Sequence, residues 1–240
     1  MLNQLIHPSP AQVRWTGLAA MVAGALGLVF APLYSLAYFA TDDGAADATS
    51  PWVQAWTEPA RDLFGPLLTF ASPDVVRLTY FKLFLFITIG MLAGVVGLHA
   101  RQAQHGGRLE RWGFLTSFVG LLLLTIGAFG GYWPALQEGF LFVALIVPGL
   151  LLVVVGSPLF GVGTWRAGVA PRIGAGLLIV GGPALFVISE IATLGGSLVL
   201  VYLAWVVLGH SLWTTTTPTP AHTVASSSAP SWPDRRGRHA

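Results

Sequence analysis

The chain of 240 residues contains no cysteine, a single lysine and few charges of either sign, 9% in all. Without cysteine there are no disulfides, no thiolate metal sites and no cysteine nucleophile, and the redox compartment is left open. Soluble domains carry about a quarter charged residues, so a chain this poor in charge is not built for water. Its composition is 54% hydrophobic and its mean hydropathy +0.71, which makes a lipid bilayer the expected solvent and first partner. The net charge is only +2, and the basic residues are spread along one membrane face, so no nucleic-acid partner is expected. Neither an HExxH zinc-protease motif nor a phosphate-binding P-loop occurs.

What the sequence does have is length of apolar run. Stretches able to cross a bilayer lie at 15–40, 76–100, 113–133, 140–164, 172–191 and 193–212. Each is expected to be helical, because a lone strand would leave its backbone unpaired in lipid, and the alternation of a β-barrel is absent. The first run is longer than a signal-peptide core, and Tyr38 stands where a small cleavage-site residue is wanted, so it reads as a retained span. In "SPDV", Ser72 offers an N-cap and Pro73 a first helical position for the second span. Six spans use about half the chain and leave no room for a separate soluble domain. Residues 1–213 therefore read as one membrane domain.

Charge placement orients it. With six spans, Arg14, Arg101, Arg108, Arg111, Arg166, Arg172, Arg235, Arg236 and Arg238 share one side, nine of the twelve basic residues. The other side receives Arg61, Arg77 and Lys82 together with eight acids: Asp42, Asp43, Asp47, Glu58, Asp62, Asp74, Glu138 and Glu190. The positive-inside rule then makes both termini cytoplasmic. The expected fold is an all-α membrane protein, a six-transmembrane-helix bundle with N-in/C-in topology. Between the first two spans, residues 41–75 form an exterior loop. There "PWVQAWTEPARDLFGPLLTF" spaces Trp52, Trp56, Leu63, Leu67 and Phe70 near helical periodicity, interrupted by Pro59 and Pro66. This predicts one or two short interfacial helices, or a loop packed over the bundle mouth. The Thr-, Ser- and Pro-rich segment 214–240 reads as a disordered cytoplasmic tail.

Glu190 is the one charge in the last long apolar run. At about 1.5 Å per residue, a helix starting at Arg172 has climbed about 27 Å by Glu190, close to a hydrocarbon core of about 30 Å. The carboxylate is therefore expected at the outer surface, capping a helical hairpin. Lys82 sits at a similar depth, about 28 Å from Arg101 by the same rise. The two are a candidate intramembrane ion pair, and either can instead reach water by snorkelling. His99 and His210 end inward-running helices at matched depth. They are candidate ligands for a b-type haem, or plain interfacial polar residues. "GGSL" brings to mind the nucleophile of a rhomboid protease, but Ser197 and His210 fall on one predicted helix about 20 Å apart, too far for a nucleophile and its base. No catalytic, metal or cofactor site is assigned.

Small residues, among them Ala20, Gly24 and Gly27, Gly94 and Gly97, and Gly120, Gly127 and Gly130, offer faces for close helix packing, within the chain or with other membrane subunits and further copies. Pro32, Pro148 and Pro183 lie within spans, where they could kink or break helices. The segment "PLFGVGTWRAGVAPRIGAGLLIVGG", Pro158 to Gly182, resembles the short cytoplasmic turn of uncharacterised polytopic membrane proteins of GC-rich bacteria. There a helix ends in Arg, a "GVxPR" turn follows and a Gly-rich helix resumes. The resemblance implies a loop at that point and no activity. With eleven of twelve basic residues Arg, the composition points the same way, to a bacterial inner (cell) membrane. The functional expectation is a non-enzymatic accessory or structural membrane subunit. The alternative is a small transporter or channel with a path past Lys82, Glu190, Thr125 or Ser189, and the third reading is a b-type haem-binding redox protein.

Overall fold

Ser9 opens the first helix with a reciprocal cap: its hydroxyl accepts from the Gln12 backbone N–H at 3.3 Å, and the Gln12 side chain accepts from the Ser9 N–H at 2.7 Å. With Pro10 at the first helical position, the helix begins five residues ahead of the apolar run. The structure, a computed structural model, describes residues 9–102, 107–133, 142–193 and 196–214. Within these the helices are α1 (Pro10–Tyr38), α2 (Pro51–Leu68), α3 (Pro73–Gln102), α4 (Arg108–Gly130), α5 (Val147–Ala167), α6 (Arg172–Ile188) and α7 (Val199–Thr214). A π-helical turn, Phe142–Ile146, leads into α5, and a 3-10 turn, Gly196–Leu198, leads into α7. No strand occurs among the described residues. Glu138 and the 215–240 tail, with Arg235, Arg236 and Arg238, lie outside them.

Five helices are long and apolar enough to cross a membrane: α1, α3, α4, α5 with its π-helical turn, and α7 with its 3-10 turn. The chain is thus a multi-pass helical membrane protein. A further apolar helix, α6, has 17 residues. These six pack in chain order, each on the next, and α7 returns to α1, so they close a ring. At the closure Trp15 meets Trp213 edge-on at 5.9 Å, with the Arg14 guanidinium 4.8 Å above the Trp213 ring. One end of the ring, the basic end, carries Arg14, Arg101, Arg108, Arg111, Arg166 and Arg172; the acidic end carries Asp42, Asp43, Asp47, Asp74 and Glu190.

Glycine sets the seams. Gly113, Gly120 and Gly127 on α4 recur every seven residues, as do Gly149, Gly156 and Gly163 on α5. An added Cβ at Gly113 would strike the Phe160 backbone, at Gly120 the Gly149 carbonyl, and at Gly156 the Ser117 backbone. A seven-residue period keeps one face on a neighbouring helix, and a missing side chain lets the two backbones approach. Gly17 and Gly24 of α1, and Gly174 and Gly181 of α6, are likewise filled by α7. Gly24, Gly27, Gly94, Gly97, Gly120 and Gly127, offered by the sequence for close packing, thus each meet a neighbour inside the chain.

The exterior helices were expected to be interrupted by proline, and here the structure differs. α2 is a single helix of 18 residues containing both Pro59 and Pro66. Each proline removes one hydrogen bond and crowds the preceding turn, but both rings are on exposed positions, where the freed carbonyls face outward. The helix docks through buried Val53 and Thr57, while Trp56 Nε1 donates to the Ile191 carbonyl at 2.7 Å. Its outward face keeps Trp52, Leu63 and Leu67 exposed, and Phe70 just past its end is exposed too, as suits a helix at headgroup depth over one side of the mouth. Pro32 and Pro183 likewise lie inside continuous helices, and Pro148 sits in the first turn of α5.

The turn from α5 to α6 rests on Gly168, the described residue with positive φ, at 66°. Its N–H closes α5 onto the Thr164 carbonyl at 3.2 Å, a left-handed helix end followed by Pro171. No atom would meet an added Cβ there, so the cost of Gly168→Ala is purely conformational. A loss of about 1 kcal/mol in unfolding free energy is expected, readable by denaturant titration in mixed micelles.

Candidate functional site

Five residues of α3 share one face at helical spacing: Arg77, Phe81, Phe84, Thr88 and Met91. All five line a cavity of about 920 Å³ inside the ring, whose lining reaches the acidic end at Asp47 and Glu190. The opposing wall comes from Leu121 and Leu124 of α4, Leu150 and Val153 of α5, and Tyr202 of α7. The apolar floor therefore reaches the middle of the bundle. Towards the basic end the core closes around Leu98, Phe160, Trp205 and Leu208, all buried.

Among the described residues the charged lining residues are Arg77, Asp47 and Glu190, all at the rim. Tyr34 and Tyr38, one turn apart on α1, run between the first two. The Arg77 guanidinium lies beside the Tyr34 hydroxyl, and the Tyr38 hydroxyl donates to Asp47 Oδ2 at 3.2 Å. Arg77 also faces Asp74 at 3.7 Å, too long for a good hydrogen bond. Its Nε is buried with no acceptor. Ser35 Oγ and Thr193 Oγ1, 2.7 Å apart, tie α1 to the loop after α6.

Lys82 and Glu190 do not pair. Lys82 is five residues past Arg77, which turns it off the cavity face, and its Nζ lies 5.6 Å from the centre of the Tyr132 ring. In the closed ring α3 and α6 stand on opposite sides, so the cation that shares a cavity with Glu190 is Arg77. Matching depth along two helices said nothing about rotation around them. Glu190 itself falls just past the end of α6, exposed at the rim. Ser189 lines the cavity while bonding the Phe186 carbonyl at 2.9 Å. Thr125 returns its hydroxyl to the Leu121 carbonyl at 2.7 Å.

At the basic end, Glu110 is 1% exposed and its Oε1 lies 2.6 Å from His99 Nδ1. The His99 ring stacks on Phe114, with centres 3.8 Å apart and planes 13° from parallel. Beside this pair, buried Gln102 donates to Thr164 Oγ1 at 2.8 Å, and Thr164 in turn donates to the Phe160 carbonyl. α3, α4 and α5 are thus latched together by side chains at one end. The Glu110 contact and the Phe114 stack of His99 are both to α4, whereas His210 is exposed on α7 next to Pro171. The structure thus gives the two histidines different neighbours and shows no contact between them. Among the described residues no group of three or more His, Asp or Glu is placed to hold a metal ion.

Comparison with protein-family models, curated proteins and solved structures finds no match. The site's chemistry is therefore argued from its own geometry.

Two of its residues escape a reading of charge and depth. Glu110 sits in "RLERW" between arginines, where it looks like part of a solvated interfacial turn. Counting back from the glycine seam would have found it: Glu110 precedes Gly113 by three and so points into the α4–α5 contact, where Gly163 packs on its Cα. Arg77 likewise looks like the surface partner of Asp74 until Phe81, Phe84, Thr88 and Met91 are seen to continue its face inward.

Proposed function

We propose that this chain is a six-crossing protein of a bacterial cell membrane, with its basic end cytoplasmic, that takes up a small molecule from the exterior into the cavity of its helix ring. Its activity is non-enzymatic binding, with transport as the natural use. Six crossings are supported by α6, whose 17 residues span about 26 Å, the lower limit for a bilayer, and by its place as one stave of the ring. The orientation is supported by the gathering of arginine at one end.

The observation that carries the reading is the cavity itself: about 920 Å³, within the range of small-molecule sites, with an apolar floor and a few polar groups at the mouth. The reading of an accessory subunit rested on the lack of convergent polar groups inside the membrane. Arg77, Asp47 and Glu190 share one cavity rim, which favours ligand binding.

A chain without cysteine makes any introduced thiol unique. In sealed vesicles, Thr88→Cys on the cavity floor is expected to react with a membrane-impermeant maleimide added from the exterior, and Leu124→Trp in the same chain to suppress that reaction by filling the floor. Gln102→Cys, in the latch, is expected to stay unreactive from that side. A Thr88 thiol that is inert, or reached only from the cytoplasmic side, overturns the proposal.

A further inference from the structure

We infer that the cavity accepts a single-chain amphiphile with a zwitterionic headgroup, its acidic group on Arg77 and its ammonium facing Asp47 and Glu190. This rests on the ligand-binding reading above and names the ligand class.

Depth selects the tail. Below Arg77 the cavity wall offers no charge, and its polar groups are sparse. Thr88 Oγ1 is already bonded to the Leu85 carbonyl at 3.1 Å. A charged group placed there would lose its hydration without compensation, so the deep part suits a hydrocarbon tail. A volume of about 920 Å³ matches one ligand of ordinary small-molecule size, hence a single chain.

The rim then selects the headgroup. A guanidinium whose Nε is buried and lacks an acceptor calls for an anionic oxygen, which it can take by charge-assisted bonds. An anion alone would also meet the carboxylates of Asp47 and Glu190 on the same rim and be repelled. A cation alone would be attracted by them and by Tyr34 and Tyr38, yet would leave the Arg77 Nε without an acceptor and approach a like charge. A headgroup with both signs matches every charge lining the cavity. Glu190, at the end of α6, stands across the ring from Arg77 on α3, so the two charges of such a headgroup have separate walls to meet.

The test uses the full chain in a neutral glycoside detergent and four probes of equal chain length: a phosphocholine, a phosphate, a quaternary ammonium and a neutral glycoside, with a diacyl phosphocholine as fifth. Native mass spectrometry counts bound molecules. The single-chain phosphocholine is expected to bind tightest, one per protein. Arg77→Gln is expected to weaken it about tenfold and shift preference to the ammonium probe. Asp47→Asn with Glu190→Gln, both at the exposed rim and harmless to the core, is expected to shift preference to the phosphate. Loading from the bilayer and loading from water each support the inference and distinguish the two sources. Equal binding of all single-chain probes, an unchanged profile in Arg77→Gln, or tighter binding of the diacyl lipid overturns it while leaving ligand binding intact. Absence of binding by every probe overturns both.

Discussion

His99→Ala is expected to destabilise the folded ring by about 2–4 kcal/mol, a large effect for a side chain at the end of a helix. Removing the imidazole strands Glu110, which is 1% exposed, and also deletes the ring stacked 3.8 Å from Phe114. A buried carboxylate stripped of its partner ordinarily costs about 3–5 kcal/mol. The figure here is set lower because the His99 side chain is 31% exposed and its loss admits some water. The two halves of the pair are not equivalent. Glu110→Gln keeps an acceptor in the same place and leaves a half-open imidazole that can find solvent, so about 1 kcal/mol is expected. The double variant is expected to recover part of the His99→Ala loss, giving a coupling of about 1–3 kcal/mol in a double-mutant cycle measured by unfolding in mixed micelles. Additive single effects would show that the 2.6 Å contact contributes nothing.

Gly113→Ala is expected to destabilise by about 1–3 kcal/mol, against the propensity of the helix it sits in. In an isolated helix the same change would stabilise by about 0.5–1 kcal/mol, since alanine loses less freedom on folding. The sign reverses because the new methyl would collide with the backbone nitrogen and Cα of Phe160. Backbone cannot rotate away as a side chain can, so α4 and α5 must separate along the seam. Gly176 provides the control. It lies inside α6, where an added Cβ would meet only the Trp165 ring at 3.4 Å, an ordinary van der Waals contact, and Gly176→Ala is expected to stabilise by the propensity difference. If both changes move stability in the same direction, the seven-residue glycine spacing is not what holds the ring together.

The helices themselves were legible because long apolar runs with charge only at their ends admit few alternatives in lipid. "SPDV" announced the start of α3, and "GVAPR" the turn at Gly168. Interior facing was not legible. Inside a ring in lipid, the outer face of each helix is as apolar as the inner one, so α3 carries almost no amphipathic asymmetry, and the usual pointer to a buried face is missing. Lys82 was singled out for its depth and Arg77 passed over, although five positions along one helix separate a residue on the cavity from one against Tyr132. The glycines did carry rotational information, through their period of seven, and that period alone would have turned Glu110 inward.

Composition and charge order, read without any structure, establish a cysteine-free, multi-pass helical chain with arginine gathered at one end. Solvation energy along a single axis decides both, and each residue contributes to it independently. Closure of the helices into a ring, the cavity that closure leaves, and the meeting of His99 with Glu110 depend on how each helix is rotated against two neighbours. That rotation is set by contacts between distant parts of the chain, glycine against backbone above all, and becomes visible only when the helices are packed.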